Sequence, residues 1–318
     1  MGRFKERSEK MEGLNMAKIP EEEYMNSGHN ACPGCGAAHA MRYMLKALGK
    51  KTTVNIPACC WAVIPGVYPS RNLEVPLLYT AFETTGASSS GIRAALNAKD
   101  IDPAEVNVVG FAGDGGTADI GVQALSGALE RGTDTIQVMY DNEAYMNTGI
   151  QRSGSTPEGA WTTTTPVGSQ KEWKKGPKKN MMEIAAAHNI PYAVTVNIGY
   201  PELMIEKIQK AAEIRGPKFV HIYAPCPTGW RSNPNKTMEI SRMAVDSKVF
   251  PLYEIENGVY NIYKKPKEEI PVKEYLQTQG RFRHLPEEEV EKIQKNVDRE
   301  WKKLLKKEEF TKEELSDL

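Results

Sequence analysis

Apolar positions along the chain follow two rhythms that alternate. Over residues 39–48, Met41, Met44, Leu45 and Leu48 recur at helical spacing and predict a helix with one buried face. Residues 51–57, with Thr-Thr-Val-Asn-Ile at their centre, and the apolar run 77–82 have the length of strands. Residues 86–98 are rich in small side chains and helical in period, which predicts a helix lying close on a flat surface. Residues 106–112 are almost continuously apolar, as parallel strands covered on both faces are. They run into Gly113-Asp114-Gly115-Gly116, followed by a predicted helix over 120–130 and a strand over 135–140. Strand, glycine-rich turn, helix and strand make a βαβ unit. The alternation resumes with a helix (181–188), a strand (192–196), a helix (201–214) and a strand (218–223).

The expected product is an α/β fold built on a doubly wound, mainly parallel sheet, with no internal repeat. From about Pro251 the character changes: residues 259–263 predict a late strand, and 287–307 a charged amphipathic helix. This divides the chain into a leader arm (1–27) lying over the surface, a main domain (28–250) and a C-terminal extension (251–318) expected to lie on a partner.

Bulk properties narrow the picture further. A chain of 318 residues holds one large α/β domain or two ordinary ones and needs no disulfide to be stable. Basic and acidic residues balance at 41 each, so charge gives no reason to expect nucleic acid or an anionic membrane as partner. No stretch reaches the ~20 apolar residues that span a bilayer. The polar N-terminus has no apolar core of signal-peptide type, and a cytoplasmic location is expected. In that compartment five cysteines point to ligands, reactive thiols or buried fillers rather than disulfides.

Chemistry concentrates at the glycine-rich turn. In a doubly wound sheet, ligands bind beyond the carboxyl ends of the strands. Gly113, Gly115 and Gly116 let the backbone approach phosphate oxygens, and the following helix adds its positive end. Asp114 repels a bare phosphate, so its presence there makes sense if a divalent metal lies between. Mg²⁺, which takes oxygen ligands from one or two protein groups plus phosphates, suits the role. A second ligand is expected from the neighbouring strand end, Asp141-Asn142. Gly113-Asp114-Gly115 followed by 26 residues and then Asn142 resembles the thiamine-diphosphate motif. Carried over, that resemblance makes Asp114 and Asn142 side-chain ligands of Mg²⁺ and the Ala144 main-chain carbonyl a third.

The cysteines form a second constellation: Cys32-Pro33-Gly34-Cys35, the adjacent Cys59-Cys60, and Cys226 in Ala-Pro-Cys-Pro-Thr-Gly-Trp. Four thiolates could hold a [4Fe–4S] cluster or a structural Zn²⁺, and an isolated C-x-x-C could be a redox dithiol. Adjacent residues rarely both reach one centre, so one of Cys59 and Cys60 is left over.

Together these features resemble the β subunit of pyruvate:ferredoxin oxidoreductase and its 2-oxoacid relatives, over about residues 20–295. The most specific stretches are Gly28 to Gly36, Phe111 to Ile120, Tyr140 to Gln151 (above all Asp141-Asn142-Glu143-Ala144-Tyr145-Met146-Asn147-Thr148-Gly149) and Cys226 to Trp230. The resemblance implies a [4Fe–4S] cluster on Cys32, Cys35, Cys60 and Cys226. It also implies cofactor contacts from Gly113, Asp114, Gly115, Gly116, Asn142, Ala144 and Thr148, and a catalytic role for the Asn147 amide near substrate. Two departures bear on the substrate. Ala58-Cys59-Cys60-Trp61-Ala62 stands where the family reads Thr-Gly-Cys-Leu-Glu, and Phe82-Glu83-Thr84 where Phe-Glu-Asn is expected.

The implied reaction is oxidative decarboxylation of a 2-oxoacid through an intermediate held on thiamine, with electrons leaving through the cluster to ferredoxin. Pyruvate and coenzyme A, giving acetyl-CoA and CO₂, are the favoured substrates; oxalate or another 2-oxoacid is the alternative. The glutamate that activates the aminopyrimidine ring is expected on a partner α subunit, with γ and ferredoxin-like δ subunits or domains completing the complex. Two further readings remain at this level: a non-redox thiamine decarboxylase, and a zinc-stabilised scaffold. The histidines 39, 188, 221 and 284 show no pairing and read as structural, and the tryptophans as packing.

Overall fold

The computed structural model of the chain describes residues 19–168 and 172–315. Most of the expected leader arm (1–18) lies outside the described residues. Its last part crosses helix α1 (Gly36–Leu48). There Lys46 Nζ donates to the carbonyls of Pro20 and Glu22 at 2.7 and 3.1 Å, and Glu23 pairs with Lys46 at 2.8 Å.

The chain then lays down β1 (Thr52–Pro57), β2 (Leu77–Thr80), α2 (Thr85–Asn97), β3 (Asn107–Gly113), α3 (Val122–Glu130) and β4 (Ile136–Asp141). After a long irregular segment come α4 (Met181–Ala186), β5 (Tyr192–Asn197), α5 (Pro201–Glu213), β6 (Lys218–Tyr223), the single turn α6 (Pro227–Trp230) and α7 (Thr237–Asp246). Strands β7 (Leu252–Glu256) and β8 (Val259–Lys264), a short α8 (Val272–Gln277) and the long α9 (Glu287–Leu315) complete it.

All eight strands form one sheet in the order β2-β1-β3-β4-β6-β5-β7-β8. The first six are parallel, and β7 and β8 add an antiparallel hairpin at one edge. Every residue of β4, β5 and β6 is buried, which is why apolar residues outnumber polar ones in each. The period of two divides them between the faces. Val109, Phe111, Val138, Tyr140, Val220 and Ile222 face α1 and α5. Met139, Ala193 and Phe219 face α3, α4 and α9.

The doubly wound parallel sheet is therefore as expected, with differences at its margins. Strand β7 was not anticipated, although the turn behind it carries a clear signal. Asn257 and Gly258 both take positive φ (49° and 87°), the requirement of a type I′ hairpin turn. The helix expected over 120–130 is preceded by a wide π-helical turn, Gly115–Asp119, directly after Asp114. Helix α9 covers β8. Side chains of Thr311 and Glu308 accept the Tyr260 and Ile262 amides at 3.0 and 2.8 Å, closing an edge that would otherwise offer free donors. Trp301 and Leu304 lie on the buried face of α9. Among the described residues no helix is long and apolar enough to cross a membrane.

Candidate cofactor site at the switch of strand order

From β1 the chain moves to β2 on one side of the sheet, whereas from β3 it moves to β4 on the other. Such a reversal opens a crevice beyond the strand ends, where α/β proteins bind ligands. Four adjacent strands deliver the expected site residues to it. Cys59 and Cys60 follow β1, Gly113 ends β3 with Asp114 to Gly116 after it, Asn142 follows β4, and Cys226 stands three residues after β6.

Asp114, Asn142 and Ala144 are all buried and come together. One terminal atom of the Asn142 amide lies 2.9 Å from both Asp114 Oδ1 and the Ala144 carbonyl oxygen. With nitrogen on that side, Asn142 donates to both. With oxygen there, three oxygens face one another, an arrangement that a cation relieves. Burial, and next the charge of Asp141, push the Asp114 carboxyl well above the usual range, partly opposed by the Ser153 hydroxyl that donates to it. A divalent cation would reverse that preference. The donor set thus fits Mg²⁺.

The turn carrying Asn142 is held by residues that the sequence reading passed over. Glu143 adopts φ 67°, and its carboxylate is 1% exposed. Lys178 Nζ reaches Asp141 at 3.0 Å and Glu143 at 2.9 Å, while Arg281 pairs with the other oxygen of Glu143. Ser155 Oγ donates to Asp141 Oδ2 at 2.6 Å, and Thr156 Oγ1 donates to the Glu143 carbonyl at 2.7 Å. His221 Nε2 lies 2.8 Å from Asp141 Oδ2. The expectation that His221 is unpaired is therefore corrected: β6 lies beside β4 and brings Tyr223, two residues on, level with Asp141. Trp230 also does more than fill space, since its indole N–H donates to the Asn142 carbonyl at 2.8 Å. Only the density of Ser and Thr between 153 and 165 hinted at this network.

Cys32, Cys35, Cys60 and Cys226 line one cavity of about 210 Å³, together with Asn142, Met146 and Asn147. The Cys32–Cys35 turn is pinned beside the Cys226 loop by Gly36, whose amide donates to the Pro225 carbonyl at 3.0 Å. A Cβ at Gly36 would stand 2.6 Å from that same oxygen. Burial pushes up the Cys35 and Cys60 thiols, and raises Cys226 to about 11. Neighbouring thiol charges add to the rise at Cys60 and Cys226. Cys59 does not line the cavity; its thiol is turned to the Tyr140 hydroxyl and the amides of Trp61, Ala62 and Gly113. Among the described residues no three His, Cys, Asp or Glu side chains converge closely enough to hold a single ion. The four cysteines line a shared space. Asn147 is exposed at the cavity's rim, and Thr148 is exposed with its hydroxyl donating to Gln151 at 2.5 Å.

The family model described as "Thiamine pyrophosphate enzyme, C-terminal TPP binding domain" matches residues 67–222, which span β2 to β6. The chain is 54% identical over 293 residues to ketoisovalerate oxidoreductase subunit VorB of Pyrococcus furiosus, covering 91% of this chain and 94% of that protein. It is 51% identical over 293 residues to pyruvate synthase subunit PorB of Methanocaldococcus jannaschii, covering 90% and 98%. The chain belongs to the β subunits of the 2-oxoacid:ferredoxin oxidoreductases. A solved 2-oxoglutarate:ferredoxin oxidoreductase from Magnetococcus marinus shares the fold, with TM-score 0.56 and 21% identity over 72% of this chain and 81% of that one. This β subunit is therefore part of an enzyme, carries a thiamine-diphosphate-binding domain and works with partner subunits.

The charge network makes two properties of the β subunit predictable. Arg281→Met removes the cation from a nearly dry pair and leaves Lys178 alone to hold Glu143. Breaking such a pair should cost roughly 3 kcal/mol, read as a lower urea midpoint at unchanged slope. No change in midpoint would mean that Arg281 contributes nothing measurable to holding Glu143.

The second concerns acid. Burial holds the His221 imidazole below its ordinary pKa of 6.5, outweighing the neighbouring Asp141. Asp141 is held below its ordinary 3.8 despite its burial, by Lys178 and His221. Both folded-state values are depressed, so the stability they contribute is complete above the unfolded values and is lost as pH falls. The window for His221 opens below about 6.5, that for Asp141 only below about 3.8. Melting temperature should fall between pH 7.5 and 5.5, and His221→Gln should lose less over that interval.

Proposed function

We propose that this β subunit oxidatively decarboxylates a small aliphatic 2-oxoacid, pyruvate first and a branched-chain homologue second. Thiamine diphosphate would be held through Mg²⁺ on Asp114, Asn142 and the Ala144 carbonyl, and a [4Fe–4S] cluster by Cys32, Cys35, Cys60 and Cys226. The reading is carried by one observation: the four cysteines and Asn142 line the same cavity. The relatives named for pyruvate and ketoisovalerate support the substrate class. When bound, thiamine supplies the carbanion chemistry of decarboxylation and the cluster accepts single electrons.

The chain's own residues position and insulate. Asp114 and Asn142 supply oxygens at the ends of β3 and β4. The Asn147 amide, at the rim, would orient the substrate carboxylate as a hydrogen-bond donor. Ile64, Met146 and Ile150 line the same cavity and limit water around it. Four cysteines around one cavity suit a cluster, whose irons each take a separate cysteine. One Zn²⁺ draws its ligands to ~2.3 Å of a point.

The described residues form a single sheet, and the glutamate that activates the pyrimidine ring is assigned to a partner α subunit. Coenzyme A, ferredoxin, and γ and ferredoxin-like δ subunits complete the proposal. The test is anaerobic assay of the complete complex against a panel of 2-oxoacids, with ferredoxin or a viologen, with and without coenzyme A. Metal analysis should give about four irons for this chain. Zinc without iron, or decarboxylation without reduction of the acceptor, would overturn it, as would turnover by the partner-free chain.

A further inference from the structure

A continuous run of buried contacts links the Cys226 loop to the Asn142 turn. Cys226 caps α6: its sulfur accepts the Gly229 amide at 3.4 Å, and its carbonyl accepts the Trp230 amide at 2.8 Å. One turn later Trp230 is fully buried, and its indole N–H holds the Asn142 carbonyl at 2.8 Å. The Arg281 guanidinium lies 4.0 Å from the indole centre and pairs with Glu143, the residue after Asn142. Neither Trp230 nor Arg281 lines the cavity.

Holding the Asn142 carbonyl fixes the plane of the Asn142–Glu143 peptide. Through the left-handed backbone of Glu143 (φ 67°), that plane sets where the Ala144 carbonyl and the Asn142 amide point. We propose that Trp230, backed by Arg281, is a positioning residue that couples the two halves of the site. Ligation at Cys226 and binding of the metal-bound diphosphate at Asn142 then strengthen one another. Linkage requires the same factor in both directions. This rests on the cofactor assignment proposed above. A purely structural Trp230 would affect melting temperature but would not link the two occupancies.

The experiment uses the complete complex, prepared anaerobically. Thiamine diphosphate and Mg²⁺ are stripped with a chelator and titrated back, and the electron paramagnetic resonance spectrum of the reduced cluster is recorded with and without thiamine diphosphate. Trp230→Phe keeps a ring under Arg281 and removes the indole donor. It should raise the dissociation constant by roughly tenfold, the scale seen for groups that orient metal ligands. It should also leave the cluster spectrum indifferent to thiamine diphosphate, whereas the wild-type spectrum is expected to change when thiamine diphosphate binds. Trp301→Phe, on the buried face of α9, should behave as the wild type. If Trp230→Phe fails to assemble, Arg281→Lys is read in the same way, since it keeps the charge and loses the planar fork. Binding within about twofold of wild type, below the usual range for coupled sites, overturns the coupling. So does a wild-type spectrum that ignores thiamine diphosphate. A wild-type complex in which this chain holds no iron or binds no thiamine diphosphate overturns the cofactor assignment, and the coupling with it.

Discussion

Asp114→Ala should abolish Mg²⁺-dependent thiamine diphosphate binding, with affinity falling by more than ~100-fold. Groups that merely orient a metal ligand cost roughly 10–100-fold when removed, and Asp114 is assigned as a ligand itself. It is also the one charged group among the three converging donors, the others being an amide and a carbonyl. Without a cation, its burial and the nearby Asp141 disfavour the ionised form, so the unliganded protein should tolerate the substitution well. The expected pattern is a melting temperature close to wild type without ligand, and no rise when Mg²⁺ and thiamine diphosphate are added. Titration by fluorescence or calorimetry measures the loss directly. If Asp114→Ala still binds the cofactor within about tenfold of wild type, the metal assignment is wrong.

Cys60→Ala should remove the iron bound at this chain's cavity and reduce electron delivery to a viologen by at least ~100-fold, whereas Cys59→Ala should keep both. The two thiols are adjacent in sequence yet lie in different surroundings. Cys60 lines the cavity with Cys32, Cys35 and Cys226, while Cys59 faces the Tyr140 hydroxyl and the Gly113 amide. A cluster that loses one of four thiolates forfeits a bond at one iron, and electron exit depends on the cluster being present. Iron content and the rate of viologen reduction decide between them. Loss of iron in Cys59→Ala with retention in Cys60→Ala would reverse the assignment.

The parallel strands were legible because burial on both faces writes a continuous apolar run, and because a helix between two such runs fits only a crossover. The turn at Gly113 was legible because its glycines and its spacing to Asn142 lie within one βαβ unit. Strand β7 was missed for a physical reason. It pairs antiparallel between β5 and the edge strand β8 and, although buried, mixes Leu252 and Tyr253 with Glu254 and Glu256, so it lacks the apolar pattern of the parallel strands. The wide turn at Gly115–Asp119 was hidden, and the preference for Cys60 over Cys59 came from the family resemblance alone. Each depends on how the backbone leaves a strand end, which periodicity does not record.

Local chemistry, then, determined the class of the sheet, the glycine turn and the cysteine pairs, since burial and turn-forming residues act over a few positions. The assembly of the site was decided by strand order. Placing β1, β3, β4 and β6 side by side brings together loops from residues 59, 113, 142 and 226. The same order carries Arg281 to Glu143 across a separation of 138 residues. A buried charge needs a partner wherever the fold can supply one, and nothing in the sequence around Glu143 says that it comes from the segment before α9.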